Sequence, residues 1–224
     1  NTPTHGHSQE GNRETTAEAA RRSADLNMQG FRPLPGAKAE LETIYTLLGQ
    51  TQSALFIDKA ATEDVLQHAR APRFLHLAKH GFFLPDQPLP EVKEGLIGFD
   101  QPSVVTPKQR FENPLLRSGL ALAGANIGLR AGSDQGLVTA DKILGLRLRG
   151  TDVVVLSACD TGLGDVQIGE GVYGLRRAFL QVGAKSLVMS LWSVPDKETQ
   201  ELMAQFYRNL LSGKLNRAQA LRAA

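Results

Sequence analysis

A single cysteine stands among 224 residues, so no internal disulfide can form. No apolar stretch approaches the ~18 residues that a membrane-spanning helix needs, and no signal peptide is recognised. Like charges do not cluster. The 25 Lys and Arg and 23 Asp and Glu leave a formal charge of only +2, scattered along the chain, which points away from nucleic acid and membrane as partners. A reducing, cytoplasmic setting is expected. The chain opens on Asn1 and stops at Ala224 inside a helical pattern, and is expected to be a piece of something longer. What is present is ordinary for a globular protein: 42% hydrophobic and 21% charged residues, enough for one generous domain, with two small domains as the alternative.

Residues 1–30 are polar and poor in branched apolar side chains, so they are expected to be a linker, partly helical around 16–26. His5 and His7 in that tail have no companion ligands and are read as solvated. From Pro35 onward the pattern becomes regular. Apolar spacing predicts a helix over 35–48 that stops at Gly49, a short strand at 54–57, a helix opening at 61–64, and a strand at 74–79. Irregular, proline-rich sequence fills 82–117, a length usually functional or disordered. A strand at 117–124, a helix at 139–146 capped by Thr139, a strand at 153–156, a helix at 170–182, a strand at 184–192 and a helix at 196–213 follow. The fold class is α/β, with a mostly parallel central sheet flanked by helices.

Val153-Val-Val-Leu156 is a continuous apolar run, expected of a strand buried on both faces, and Cys159 lies just past its end in a loop punctuated by Gly162 and Gly164. His80, followed directly by Gly81, lies past the end of the 74–79 strand. Reactive groups in open α/β sheets gather beyond the carboxyl ends of parallel strands. A neighbouring His80 would take the Cys159 thiol proton and lower its pKa, and the main-chain amides of Gly81 and Cys159 are candidate donors to an acyl oxyanion. The competing reading of Cys159 is a small buried hydrophobe. His76 shares strand parity with His80 and is expected to be a hydrogen-bonded core residue; His68 is expected in solvent. The His76/His80 spacing is not a metal motif, since a strand does not bring those rings together. No metal or cofactor is expected.

At these residues the chain resembles the CHAT domain family, caspase-like cysteine peptidase domains related to separase and the caspases. The resemblance runs from Phe31-Arg-Pro-Leu-Pro-Gly-Ala37 to the C-terminus. It is carried by Leu75-His-Leu-Ala-Lys-His-Gly81, Asn113 to Gly124, Gly136-Leu-Val-Thr-Ala140, Val154 to Gly164, and Ser190-Leu-Trp-Ser-Val-Pro-Asp196. It implies a caspase-like peptidase domain over 31–224, with His80 and Cys159 as the catalytic dyad and a peptide bond as substrate. Asp196 or Asp160 would then hold a basic P1 side chain, the alternative for Asp196 being a helix N-cap. Glu170, Arg176 and Arg177 also match the family pattern but are read as structural. Lys79 departs from it, where a smaller or uncharged residue is usual.

The functional expectation is a cysteine endopeptidase acting on a specific protein, controlled by an attached or separate repeat or sensor region. The rival is a catalytically silent interaction module that retains the dyad. A phosphate-binding role for 162–171 lacks the Gly-Lys-Ser/Thr element.

Overall fold

The computed structural model describes residues 30–84, 113–157, 170–190 and 194–224. The first helix, α1 (Pro35–Leu48), begins on a proline whose fixed φ suits the first turn, and it ends where Gly49 takes φ 86°. A short helix, α2 (Glu63–Gln67), follows; Thr62 caps it by accepting from the Val65 amide at 3.3 Å.

Strand β1 (Phe74–Leu77) pairs in parallel with β5 (Val153–Leu156), and β5 pairs in parallel with β6 (Leu187–Met189), giving the order β1-β5-β6. Parallel strands need crossovers, and the crossovers supply the covering helices. Phe74, Val153, Val155 and Val188 pack on one face against Ile44 of α1 and against Met203, Phe206 and Tyr207 of the long helix α6 (Asp196–Leu211). Ala220 of the terminal helix α7 (Arg217–Arg222) joins them. On the opposite face, Leu75, Leu77, Val154, Leu156 and Leu187 meet Leu175, Ala178 and Phe179 of α5 (Glu170–Gln181). Ile143 of α4 (Ala140–Ile143) completes that layer. Each fully buried Val or Leu contributes roughly 1.5–3 kcal/mol. The result is an α/β fold with a parallel sheet between helical layers, as the sequence predicts.

Beyond β1 the chain passes through residues 78–80 into β2 (Gly81–Phe83) of a second sheet. That sheet is antiparallel, of order β2-β3-β4, with β3 (Ser118–Ala121) in the middle and β4 (Leu137–Thr139) outside. Between β3 and β4 runs α3 (Ala125–Arg130). At the far end of the parallel sheet, Asp152 accepts from Lys185 at 2.8 Å and Arg73 at 3.3 Å, with Arg217 at 3.7 Å. The Lys185 hydrogen bond is the main reason its carboxyl sits below the usual carboxylate range.

Two expectations change. Residues 54–57 form no strand: Ser53 just before the segment and Ile57 at its end are extended, but the segment enters no ladder among the described residues, and Phe56 is exposed. Apolar content there marks an extended surface stretch. Strands β2 and β4 were not anticipated, because three residues are too few for a period-2 pattern to show. The tail at 1–29 and most of the 82–117 loop lie outside the described residues. No described helix is long and apolar enough to cross a membrane.

The Thr151 hydroxyl is fully buried and has no hydrogen-bond partner among the described residues. A buried unsatisfied hydroxyl is costly, and valine has nearly the same shape. Thr151→Val is expected to stabilise the chain by about 1 kcal/mol, raising the thermal midpoint by roughly 2–4 °C. A calorimetric midpoint lower than wild type would contradict this.

Candidate active site

His80 sits where the chain leaves the parallel sheet for the antiparallel one. Its main-chain carbonyl accepts from Ala121 of β3 at 2.9 Å, and the residue is only 7% exposed. The ring is held from the other side by residues 31 and 32. Nε2 lies 2.6 Å from the Arg32 carbonyl oxygen, and the Phe31 ring stacks at 5.6 Å between centroids, tilted by 32°. A carbonyl oxygen only accepts, so Nε2 carries the proton and donates. In a neutral ring this makes Nδ1 the basic nitrogen.

Gly81 follows in β2. In the β2–β3 ladder the hydrogen-bonded pairs include Leu84 with Arg117 and His80 with Ala121, whose Leu84 N to Arg117 O and Ala121 N to His80 O bonds are 2.7 and 2.9 Å. Antiparallel pairs alternate between hydrogen-bonded and non-bonded, so the intervening Gly81, opposite Leu120, turns its N–H away from β3. A methyl group built on Gly81 would make only ordinary contacts, the nearest being Phe83 at 3.5 Å. Gly119 differs: there a methyl would reach Phe82 and Thr139 at 2.8 Å. Packing among the described residues demands glycine at 119 and leaves room at 81.

Cys159 and Asp160 lie outside the described residues, as does Trp192. The strand before them is fixed. Leu77 is opposite Leu156, and the Ser157 amide donates to the Leu77 carbonyl at 3.3 Å. His80 and Cys159 therefore each follow three residues after a matched pair of positions.

Asp196 is the first residue of α6, and Pro195, not Asp196, is that helix's N-cap. Its carboxylate acts on a different helix: Oδ2 accepts from the Gly36 amide in the first turn of α1 at 3.1 Å. An N-terminal amide of α1 has no intrahelical acceptor, and the positive end of the helix favours a carboxylate. Beside His80, Lys79 is half-buried. Desolvation lowers its pKa, and Asp58 partly offsets that by favouring the charge.

His76 is the hydrogen-bonded core histidine expected from the sequence, but its partners went unrecognised. Nε2 lies 2.9 Å from Glu40 Oε1 and 3.1 Å from Ser157 Oγ, while Nδ1 lies 3.2 Å from the Tyr207 hydroxyl. Glu40 and Ser157 are 3% and 2% exposed. Glutamate, histidine and serine together suggest a hydrolytic triad, yet both oxygens meet the same ring nitrogen. A relay needs one on each nitrogen, so this cluster is structural. Its legible signal was Glu40 itself, a charged residue one turn before Ile44 on the buried face of α1. His68 pairs with Asp64 in solvent, at 3.2 Å from Oδ1. Among the described residues no three His, Cys, Asp or Glu side chains converge as a metal site.

A model of the family described as the CHAT domain matches residues 5–224. The chain belongs to the CHAT domain family. The parallel sheet between helices is compatible with the caspase-like fold of that family. This CHAT domain is also similar to tetratricopeptide repeat protein 28 of Mus musculus, 39% identical over 77 residues, which is 34% of this chain and 3% of that protein. The Homo sapiens protein of the same name is 38% identical over 77 residues, with the same shares. The CHAT domain thus spans only a small part of the length of these curated relatives. No solved structure matches it.

The His76 cluster gives the CHAT domain a measurable pH dependence. Burial, then the Glu40 carboxylate, pushes the Tyr207 hydroxyl up from its ordinary 10.0. The folded state therefore keeps a proton that the unfolded chain loses, so this contribution is complete below about pH 10 and is lost as pH rises above it. Urea unfolding between about pH 8 and 11 should show wild type losing stability more steeply than Tyr207→Phe, by at most ~1.4 kcal/mol per pH unit. Parallel slopes would contradict the assignment.

Proposed function

We propose that the chain is a cysteine endopeptidase domain in which Cys159 is the nucleophile and His80 its general base. The observation that supports this reading is the register: Leu77 lies opposite Leu156 on adjacent parallel strands, and in the sequence His80 and Cys159 each come three residues after those positions. The tautomer of His80 supports it, because a ring that donates from Nε2 has Nδ1 to accept a thiol proton.

In the proposed reaction, the Cys159 thiol gives its proton to Nδ1 of His80, and the thiolate attacks the carbonyl carbon of the scissile peptide. The oxyanion is held by main-chain N–H groups, for which Gly81 and Cys159 are the candidates. As the C–N bond breaks, the imidazolium returns the proton to the departing amine. Water, deprotonated by the same ring, then releases the acyl group and regenerates the thiol. No metal or cofactor takes part.

Asp160 is the better candidate for binding a basic P1 side chain, since Asp196 already accepts from the α1 backbone and would have to share that role. The substrate class proposed is a protein cut at a specific site. A helical-repeat region attached to the domain, or supplied separately, is the proposed regulator; the repeat named in the two relatives supports this. The proposed setting is the cytoplasm, where a lone thiol stays reduced.

Labelling with peptide electrophiles of varied P1 tests the dyad. Cys159→Ala should abolish labelling, and His80→Ala should slow it by about 10²–10⁴-fold. Labelling at an undiminished rate in His80→Ala would exclude the general-base role and favour an interaction module. Lys or Arg at P1 should label fastest, and Asp160→Ala should remove that preference.

Gly81→Ala separates chemistry from packing. The added methyl fits among the described residues, so thermal stability should change by less than about 1 kcal/mol. Labelling should nevertheless fall severalfold or more, because a side chain beside the donor amide obstructs the approach of the carbonyl. A fall in stability with unchanged labelling would make Gly81 a structural residue.

A further inference from the structure

We infer that Asn126 is a positioning residue for His80, acting through the main chain of Phe31. The inference rests on the proposed role of His80 as general base. Asn126 stands in the first turn of α3, and its side-chain amide grips one residue through the peptides on both sides of it: Oδ1 accepts from the Phe31 N–H at 2.8 Å, and Nδ2 donates to the Phe31 carbonyl at 2.9 Å. Such a two-point grip fixes rotation as well as position. The next carbonyl along, that of Arg32, is the acceptor for His80 Nε2.

The approach of the segment is built around this amide. Gly30 takes φ +70°, a conformation glycine adopts without strain, and a Cβ there would come within 2.8 Å of Asn126 Oδ1. Phe31 itself packs against the buried cluster of Phe82, Leu84, Ala125 and Leu129. Apolar packing seats the segment; the Asn126 amide sets which way its carbonyls face.

The geometry has a further economy. Ala121 of β3 holds the main-chain carbonyl of His80, and Asn126, five residues further along the same chain, holds the residue just before the carbonyl that sets its ring. One short stretch thus defines both where His80 is anchored and which nitrogen carries its proton. Without the grip, the Arg32 carbonyl is no longer aimed, and the proton can move to Nδ1. That tautomer cannot accept from a thiol at Nδ1.

The test uses the 224-residue chain labelled with ¹⁵N histidine, the His80 signals being assigned with His80→Gln. Long-range ¹H–¹⁵N correlations at about pH 8 distinguish the two neutral tautomers. Wild type should show Nε2–H at His80, and Asn126→Ala a mixture with Nδ1–H. Labelling of Cys159 by a peptide electrophile should fall at least about tenfold in Asn126→Ala, with a thermal midpoint within a few degrees of wild type. Asn126→Asp keeps the acceptor for the Phe31 N–H and loses the donor, so both readouts should fall between; it also carries the test if Asn126→Ala fails to fold. A pure Nε2–H signature in the folded variants, or unchanged labelling alongside an altered tautomer, overturns the inference. If wild-type labelling proves indifferent to His80, the general-base reading falls by itself. The tautomer measurement then still decides whether Asn126 sets the ring.

Discussion

Parallel pairing of β1 with β5 imposes most of what surrounds it. Two adjacent strands running the same way cannot be joined by a hairpin, so the intervening chain must travel to the other end of the sheet and return. That return buries both faces, and the alternating side chains of Val153–Leu156 divide between α1/α6/α7 on one side and α4/α5 on the other. With both faces closed, chemistry has only the rims available. The N-terminal rim is taken up by the Asp152 ion cluster, and the C-terminal rim is where the chain crosses from one sheet to the other at His80.

The two histidines of β1 and its extension show how position decides chemistry. His76 is enclosed within the helical layer, with Glu40, Ser157 and Tyr207 contributed by α1, the end of β5 and α6. Its ring is saturated by partners that hold three elements together. Four residues on, His80 has passed the sheet's end and meets a main-chain carbonyl and an aromatic face. One ring is a joint between layers; the other has a single defined tautomer at a rim.

Much of the local structure was legible because local signals set it. Pro35 and Gly49 bracket α1, Thr139 caps α4 by accepting from the Lys142 amide, and the apolar run 153–156 is a strand buried on both faces. Long-range polar contacts were not legible. Nothing in the spacing says that Glu40 meets His76, that the Asp196 carboxylate serves a helix 160 residues away in sequence, or that Asn126 grips Phe31. Such contacts depend on how elements pack, and packing has no signature in local periodicity. The second sheet escaped for a related reason, since strands as short as β2 and β4 are defined by their partner rather than their own pattern. Of the candidate site, the position of His80 beyond β1 and the outward amide of Gly81 could be anticipated; the acceptor that fixes the ring could not.

That acceptor belongs to the backbone, which changes how variation at position 32 is to be understood. Replacing the Arg32 side chain leaves the oxygen in place, so an alanine scan passes over the contact. The neighbour also bears on it: Pro33 disfavours helical conformations at Arg32 and biases it toward extended ones. The carbonyl direction is thus restricted before the chain folds, and less conformational freedom is left to lose when residue 32 settles against the imidazole. Pro33 thus acts on the ring through the entropy of the chain that carries its acceptor.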